Sequence, residues 1–147
     1  MPQQLIHNVS ALAVGEFEKD RQILHDVFQK YGWRLLEAGD RCDALRLLEQ
    51  NPIHVVIAQS ELPNWGWKKI LSDLRRLALP PQLIVTSRTA DDYLWAEVLN
   101  IGGYDVLPQP LERDEVERVV AAACRTHHIP AGRATAQGTV APTAIVA

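Results

Sequence analysis

The side chains of this chain best equipped for proton, metal or thiol chemistry are His25, Cys42, Cys124 and the carboxylates Glu16, Glu18 and Glu61. Their spacing builds no catalytic centre. Cys42 and Cys124 lie far apart and form no CxxC, which reads as partly buried, reduced thiols of a cytosolic protein and not as a disulfide or zinc framework. His25 falls on a helical stretch as a surface histidine; a phosphotransfer histidine belongs to a four-helix bundle, which the alternating pattern described next excludes. No GxGxxG follows the first strand-like segment and no GKS or GKT loop occurs, so dinucleotide and nucleoside-triphosphate sites are unsupported. No nucleophile, base and orienting group converge, and the expectation is a protein without enzymatic activity.

Elements that position such residues follow from hydrophobic period. Ser10 to Val14 reads as a strand closed by Gly15, and Glu18 to Tyr31 as a helix with Ile23, Leu24, Val27 and Phe28 on one face, stopped by Gly32. Trp33 to Ala38 is a second strand, after which Asp40 caps a helix with Ala44, Leu45, Leu47 and Leu48 inward. Ile53 to Ala58 is a continuous apolar run, as a strand covered on both faces requires. The alternation continues with a helix from Trp67 to Leu77, a strand from Leu83 to Thr86, a helix capped by Thr89 and running to Ile101, a strand from Tyr104 to Leu107, and a last helix from Pro110 to about Arg125.

Five strand–helix units imply right-handed crossovers, and their length is too short for an eight-stranded barrel. The expected fold is α/β: a doubly wound, five-stranded parallel sheet of order 2-1-3-4-5, flavodoxin-like, with helices on both faces. It occupies residues 10–126, after a lead-in of residues 1–9 and before an Ala/Thr/Gly/Pro-rich stretch, 127–147, that reads as a tail or linker stub. The 147 residues, 47% hydrophobic and 22% charged, suit one such domain, and a net charge of −3 with pI near 5.9 disfavours unaided binding to nucleic acid or a membrane surface. Without a signal-peptide pattern or an apolar run of membrane length, the expected location is the cytoplasm. In such a sheet, function sits where the carboxyl ends of strands one, three, four and five meet: Gly15-Glu16, Gln59, Thr86-Ser87 and Pro108-Gln109-Pro110.

Val14-Gly15-Glu16, the spacing from Gly15 to Gly32, Val55-Val56-Ile57-Ala58-Gln59 with Pro63 four residues on, Ser87, and Gly102-Gly103-Tyr104-Asp105-Val106-Leu107-Pro108-Gln109-Pro110 together resemble the receiver domain of bacterial response regulators, over about Ser10 to Arg125. The resemblance implies a phosphorelay domain that takes a phosphoryl group from a histidine kinase onto an aspartate, with Mg²⁺ held by an acidic pair and with a hydroxyl and a lysine gripping the phosphoryl oxygens. At the corresponding positions this chain has Gly15 and Glu16, Gln59, Ser87 and Gln109. A glutamine cannot form an acyl phosphate, and Glu16 alone leaves weak Mg²⁺ binding at best, because hard-cation affinity follows ligand charge. Glu61, two residues beyond Gln59, and Glu18 are carboxylates that either approach a cation or remain solvated. The resemblance thus implies a degenerate phosphoacceptor pocket, without cofactor, in which Gln59 and Gln109 pair amide to amide.

The family's output passes through its fourth helix, fifth strand and fifth helix. By resemblance that face holds Glu97, Tyr104, Asp105, Val106, Arg113, Glu117 and Arg118, with Val106 at the switch aromatic's position and Tyr104 two residues earlier on the same strand face. Of the four tryptophans, Trp33 and Trp95 are expected in the core. Trp65 and Trp67 either roof the vacant pocket, form an aromatic binding patch or pack against the third helix. Lys68, Lys69, Arg75 and Arg76 read as a solvated face beside Asp73. Two functions remain open. One is a stand-alone receiver-type module, not phosphorylated, acting on a protein partner (a histidine kinase or downstream regulator) or as a homodimer. The other is a small-ligand module using the strand-end crevice, with Trp65 or Trp67 as a stacking surface.

Overall fold

An uninterrupted apolar strand such as Val55-Val56-Ile57-Ala58 is stable only when both of its faces are covered, and that requirement organises the chain. The computed structural model describes residues 9–133. The elements are β1 (Ser10–Val14), α1 (Arg21–Tyr31), β2 (Arg34–Ala38), α2 (Arg41–Gln50), β3 (Val55–Gln59), α3 (Trp67–Leu74), β4 (Gln82–Ser87), α4 (Asp92–Ile101), β5 (Asp105–Pro108) and α5 (Arg113–Arg133). Every strand pairing is parallel, and the order β2-β1-β3-β4-β5 is the expected one.

Period-two alternation splits the core into two layers. Ala11, Ala13, Val55, Ile57, Ile84 and Leu107 point to α1 and α5, against Leu24, Val27, Phe28, Val116, Val120 and Ala123. Leu12, Val14, Val56, Ala58, Leu83, Val85 and Val106 point the other way, against Ala44, Ile70, Leu74 and Val98 of α2, α3 and α4. Trp33 closes the first layer as expected, stacked on Tyr31 at 4.7 Å and edge-on to Phe28 at 5.6 Å. Trp95 does not join the core: it is 47% exposed, and its Nε1 donates to Asp105 Oδ1 at 2.9 Å. The inward stripe of α4 is Leu94 and Val98, one turn apart, and Trp95 lies a step around from it.

Element ends differ from the sequence reading where a local bond outcompetes the pattern. α1 starts at Arg21 because Asp20 and Arg21 first close a turn on the Phe17 carbonyl. Asp91, not Thr89, caps α4: its Oδ1 accepts from Leu94 N at 2.8 Å, while Thr89 N–H donates to Ser87 Oγ. α3 ends at Leu74, and α5 runs to Arg133 instead of ending near Arg125. The lead-in before residue 9 and the stretch after 133 lie outside the described residues. No helix among the described residues is long and apolar enough to cross a membrane.

The cysteines differ in environment. Cys124 is buried between α5 and the sheet, and that burial pushes its thiol up to about 11, whereas Cys42 is exposed on α2 and not partly buried as expected. Only the thiolate alkylates readily. Iodoacetamide at neutral pH should therefore modify Cys42 alone in the native protein and both cysteines after unfolding, as counted by intact mass.

Candidate functional site

The carboxyl ends of β1 and β3 are neighbours in the sheet, with Val14 paired to Ala58. Gly15 leaves β1 with φ +128, a conformation that L residues with a side chain rarely adopt, and donates its N–H to Ala38 O at 3.0 Å. Gln59, the last residue of β3, turns its amide onto the next residue of the β1 loop. Its Oε1 accepts from Glu16 N at 2.9 Å and its Nε2 donates to Glu16 O at 2.7 Å. The side-chain amide thus acts as one more peptide group in the β1–β3 ladder. The room for it exists because residue 15 has no Cβ: one built there would overlap Gln59 Oε1 and stand 2.9 Å from Cδ.

This arrangement replaces the expected bond between the two glutamines. Gln109 Nε2 donates instead to Asp20 Oδ2 at 2.8 Å, and the other oxygen of Asp20 accepts from Leu111 N at 3.0 Å. Gln59 is drawn to a backbone donor–acceptor pair and Gln109 to a full negative charge, and each outcompetes a neutral amide partner. Asp20, only 6% exposed, is the site residue that sequence reasoning missed. It stands at the N-cap position of α1 but makes no side-chain capping bond; its carboxylate fastens the β5–α5 loop, whose Gln109–Pro110 peptide is cis, to the start of α1.

The hydroxyl at the site also differs from expectation. Gln59 is in register with Thr86, so these two side chains share a sheet face and Ser87 points to the other. Ser87 Oγ is bonded to Thr89. Thr86 is fully buried, and its Oγ1 has no hydrogen-bond partner among the described residues. Alternation counted from Gln59 would have selected Thr86.

Glu16, Glu18, Lys19, Asp20, Gln59, Arg88 and Gln109 bound a cleft of about 580 Å³, which neither Thr86 nor Ser87 lines. Its charges are mixed, with Glu16, Glu18 and Asp20 opposed by Lys19 and Arg88. Glu61 is exposed and does not line it. Mg²⁺ does not fit this donor set. Residue 15 supplies no ligand, the Gln59 carbonyl oxygen is already bonded, Asp20 holds Gln109 and Leu111, and no group of three His, Cys, Asp or Glu among the described residues is placed to hold a metal.

Trp65 and Trp67 do not roof the cleft. Both are buried in the layer under α3, and Trp65 Nε1 donates to Asp73 Oδ2 at 2.8 Å. Burial works against the charged form of Asp73, but hydrogen bonds from Arg41 and Trp65 outweigh it and hold this carboxyl below its ordinary range.

The expected output face is partly dismantled as well. Tyr104 precedes β5 and packs against the α1/α5 layer, whereas Val106 packs in the opposite layer, so the two do not share a face. Arg113 pairs with Asp26 of α1, and Glu117 accepts from Tyr31 Oη at 2.7 Å and Lys30 Nζ at 3.2 Å. Glu97 pairs with Lys68 at 2.7 Å and Arg118 with Glu115 at 3.9 Å. Arg113 and Glu117 therefore tie α5 to α1, whereas the Arg118–Glu115 pair stays within α5.

That lock titrates. The Tyr31 hydroxyl, followed by Lys30, holds the Glu117 carboxyl below its ordinary value against the opposing effect of burial. A carboxylate lowered on folding stabilises above its unfolded pKa, and the contribution disappears as pH falls through the folded value. Glu117→Gln should therefore be less stable than the parent by about 1 kcal/mol at neutral pH. The two melting curves should converge below about pH 3.

No protein-family model and no curated protein sequence matches the chain. Solved structures do. It is similar to the signal receiver domain of an HD domain-containing protein from Pseudomonas fluorescens Pf-5, at 24% identity over 83% of this chain and 98% of that chain with a TM-score of 0.72. It is similar to the receiver domain of a Francisella response regulator at 24% identity, over 81% and 98% of the two chains with a TM-score of 0.70. A protein from Neptuniibacter caesariensis aligns at 19% identity over 88% and 97%, with a TM-score of 0.76. The fold of this chain is that of response-regulator receiver domains.

Proposed function

We propose that this chain is a receiver-type signalling module of a phosphorelay system that acts through protein contacts and does not accept a phosphoryl group. The observation that carries this reading is the Gln59 amide closed on both backbone atoms of Glu16. The position that would attack phosphorus carries no carboxylate, and its oxygen is spent on a structural bond. With no ligand at Gly15 and no charge at Gln59, the site offers less of the charge neutralisation that phosphoryl transfer needs. The proposal includes a cytoplasmic location, no cofactor, no enzymatic activity, and a histidine kinase, a downstream regulator or a second copy as the partner.

The competing small-ligand reading relied on Trp65 or Trp67 as a stacking surface, and their burial under α3 leaves the cleft without one. Incubation with acetyl phosphate and Mg²⁺, followed by intact mass measurement, should give no phosphorylated species, and titration with Mg²⁺ and beryllofluoride should give no heat. Labelling, or beryllofluoride binding tighter than about 1 mM, overturns the proposal.

A further inference from the structure

At the amino ends of the strands, far from the cleft, the α2/α3 layer is left open. α2 stops at Gln50 and α3 at Leu74, and an apolar groove of about 360 Å³ lies between the segments that follow them, walled by Leu48, Ile53, His54, Leu77, Leu79 and Pro81. Leu79 is 59% exposed and is the one large apolar side chain outside α4 that is exposed among the described residues. Strand β1 begins at the wall of this groove. Ser10 N–H donates to His54 Nδ1 at 3.0 Å, and His54 N–H donates to Ser10 O at 2.8 Å. Alternation sets Ser10 on the sheet face of Leu12 and Val14, the face that α2 and α3 cover. The residues that precede Val9 are Met1-Pro2-Gln3-Gln4-Leu5-Ile6-His7-Asn8, a stretch with no Asp, Glu, Lys or Arg and with one aliphatic pair, Leu5-Ile6.

We propose that this lead-in turns back under the sheet and seats Leu5 and Ile6 in the groove, as a strap that closes the amino end of the α2/α3 layer. The first ground is reach. Ile6 is four residues from Ser10, a span of up to about 14 Å, and Ser10 is itself bonded to the groove wall. The second is chemistry. Two aliphatic side chains gain by leaving water for an apolar groove, and the segment that carries them brings no charged side chain to desolvate. Other occupants fit less well. α5 packs on the opposite face of the sheet, so the residues after 133 leave from the other side. A second copy would find a narrow groove and a single exposed leucine, far short of the roughly 800 Å² that each partner gives to a standard interface. With the strap seated, Leu79 and the groove are withheld from partners, and they become a docking surface only when the lead-in leaves.

Ala78 lines the groove and is exposed among the described residues, as is Cys42 on α2. In the whole chain carrying Ala78→Cys, alkylation by iodoacetamide at position 78, measured against Cys42 as the internal reference, should speed up at least about fivefold when Leu5→Gln and Ile6→Gln are added, with unchanged circular dichroism. In a Cys42→Ser background, Ile6→Cys with Ala78→Cys should close an intramolecular disulfide. Ile6→Cys with Thr126→Cys, on exposed α5 surface, should not. An unchanged rate at position 78 after Leu5→Gln and Ile6→Gln, a disulfide that forms as fast with Thr126→Cys as with Ala78→Cys, or protection of position 78 that vanishes on dilution, the mark of a second copy, overturns the inference. Phosphoryl labelling reports on the other end of the sheet, so this inference and the reading of Gln59 fail separately.

Discussion

Replacing Gly15 by aspartate, with nothing else changed, is expected to lower the melting temperature by about 10 °C. Two costs add. A residue with a side chain at φ +128 is strained by about 1–3 kcal/mol. Its Cβ also takes the space of the Gln59 amide, which must leave Glu16 and give up both hydrogen bonds at about 1 kcal/mol each. Removing Gln59 at the same time tests the mechanism. Gly15→Asp combined with Gln59→Asp should show a smaller loss than the sum of the single changes, because the overlap is gone and only backbone strain remains. Adding Gln109→Lys then restores a charged set around the cleft, and Mg²⁺-dependent labelling by acetyl phosphate should appear. If the triple variant folds and stays unlabelled, Gln59 does not stand at the phosphoryl-accepting position. If the two single changes add without coupling, the steric account of Gly15 is wrong.

Asp20→Ala should cost about 3 kcal/mol, seen as a lower denaturant midpoint at unchanged slope. The Asp20 carboxylate is buried and spends one oxygen on Leu111 N–H and the other on Gln109 Nε2. Truncation leaves the buried Leu111 N–H with no acceptor and frees the Gln109 amide at the cleft edge, and the orphaned Leu111 donor, more than the worth of the bonds, sets the size of the effect. Asp20→Asn is the control. Its carbonyl oxygen still accepts from Leu111, and Gln109 needs only to rotate its amide to offer an oxygen to the new NH₂, so the loss should stay below about 1 kcal/mol. Equal losses in the two variants would mean that Asp20 contributes charge and not acceptors.

Sheet order was readable because it depends on quantities that sequence carries directly: five apolar runs of strand length, the helical stripes between them, and glycines such as Gly32 and Gly102 that end helices in the left-handed region. The strand ends that meet at the cleft followed from that topology. What each side chain does there was not readable. Gln59, Glu16 and Asp20 are polar residues with several possible partners, and the choice among them depends on differences of an ångström in loops. Thr86 was within reach, since counting alternation from Gln59 places it on the same face, but the spacing from the resemblance pointed to Ser87. Trp95 was misplaced for a related reason. On a ten-residue helix packed along a single line, 100° separates a core position from an outer one, and apolar character alone does not choose between Trp95 and Leu94.

The way α4 is held has a consequence for how the domain comes apart. α1 and α5 bury broad stripes in a shared layer and are laced together by Arg113, Tyr31 and Glu117, so lifting either one disrupts the whole layer. Lifting α4 uncovers Val98 and half-buried Leu94 and breaks a few exposed polar ties. Opening free energies should therefore form a gradient across the sheet, higher on the α1/α5 side and lower at α4, so that α4 is expected to detach as a unit below the global unfolding energy. Its amides should then exchange with solvent while the rest of the fold remains closed.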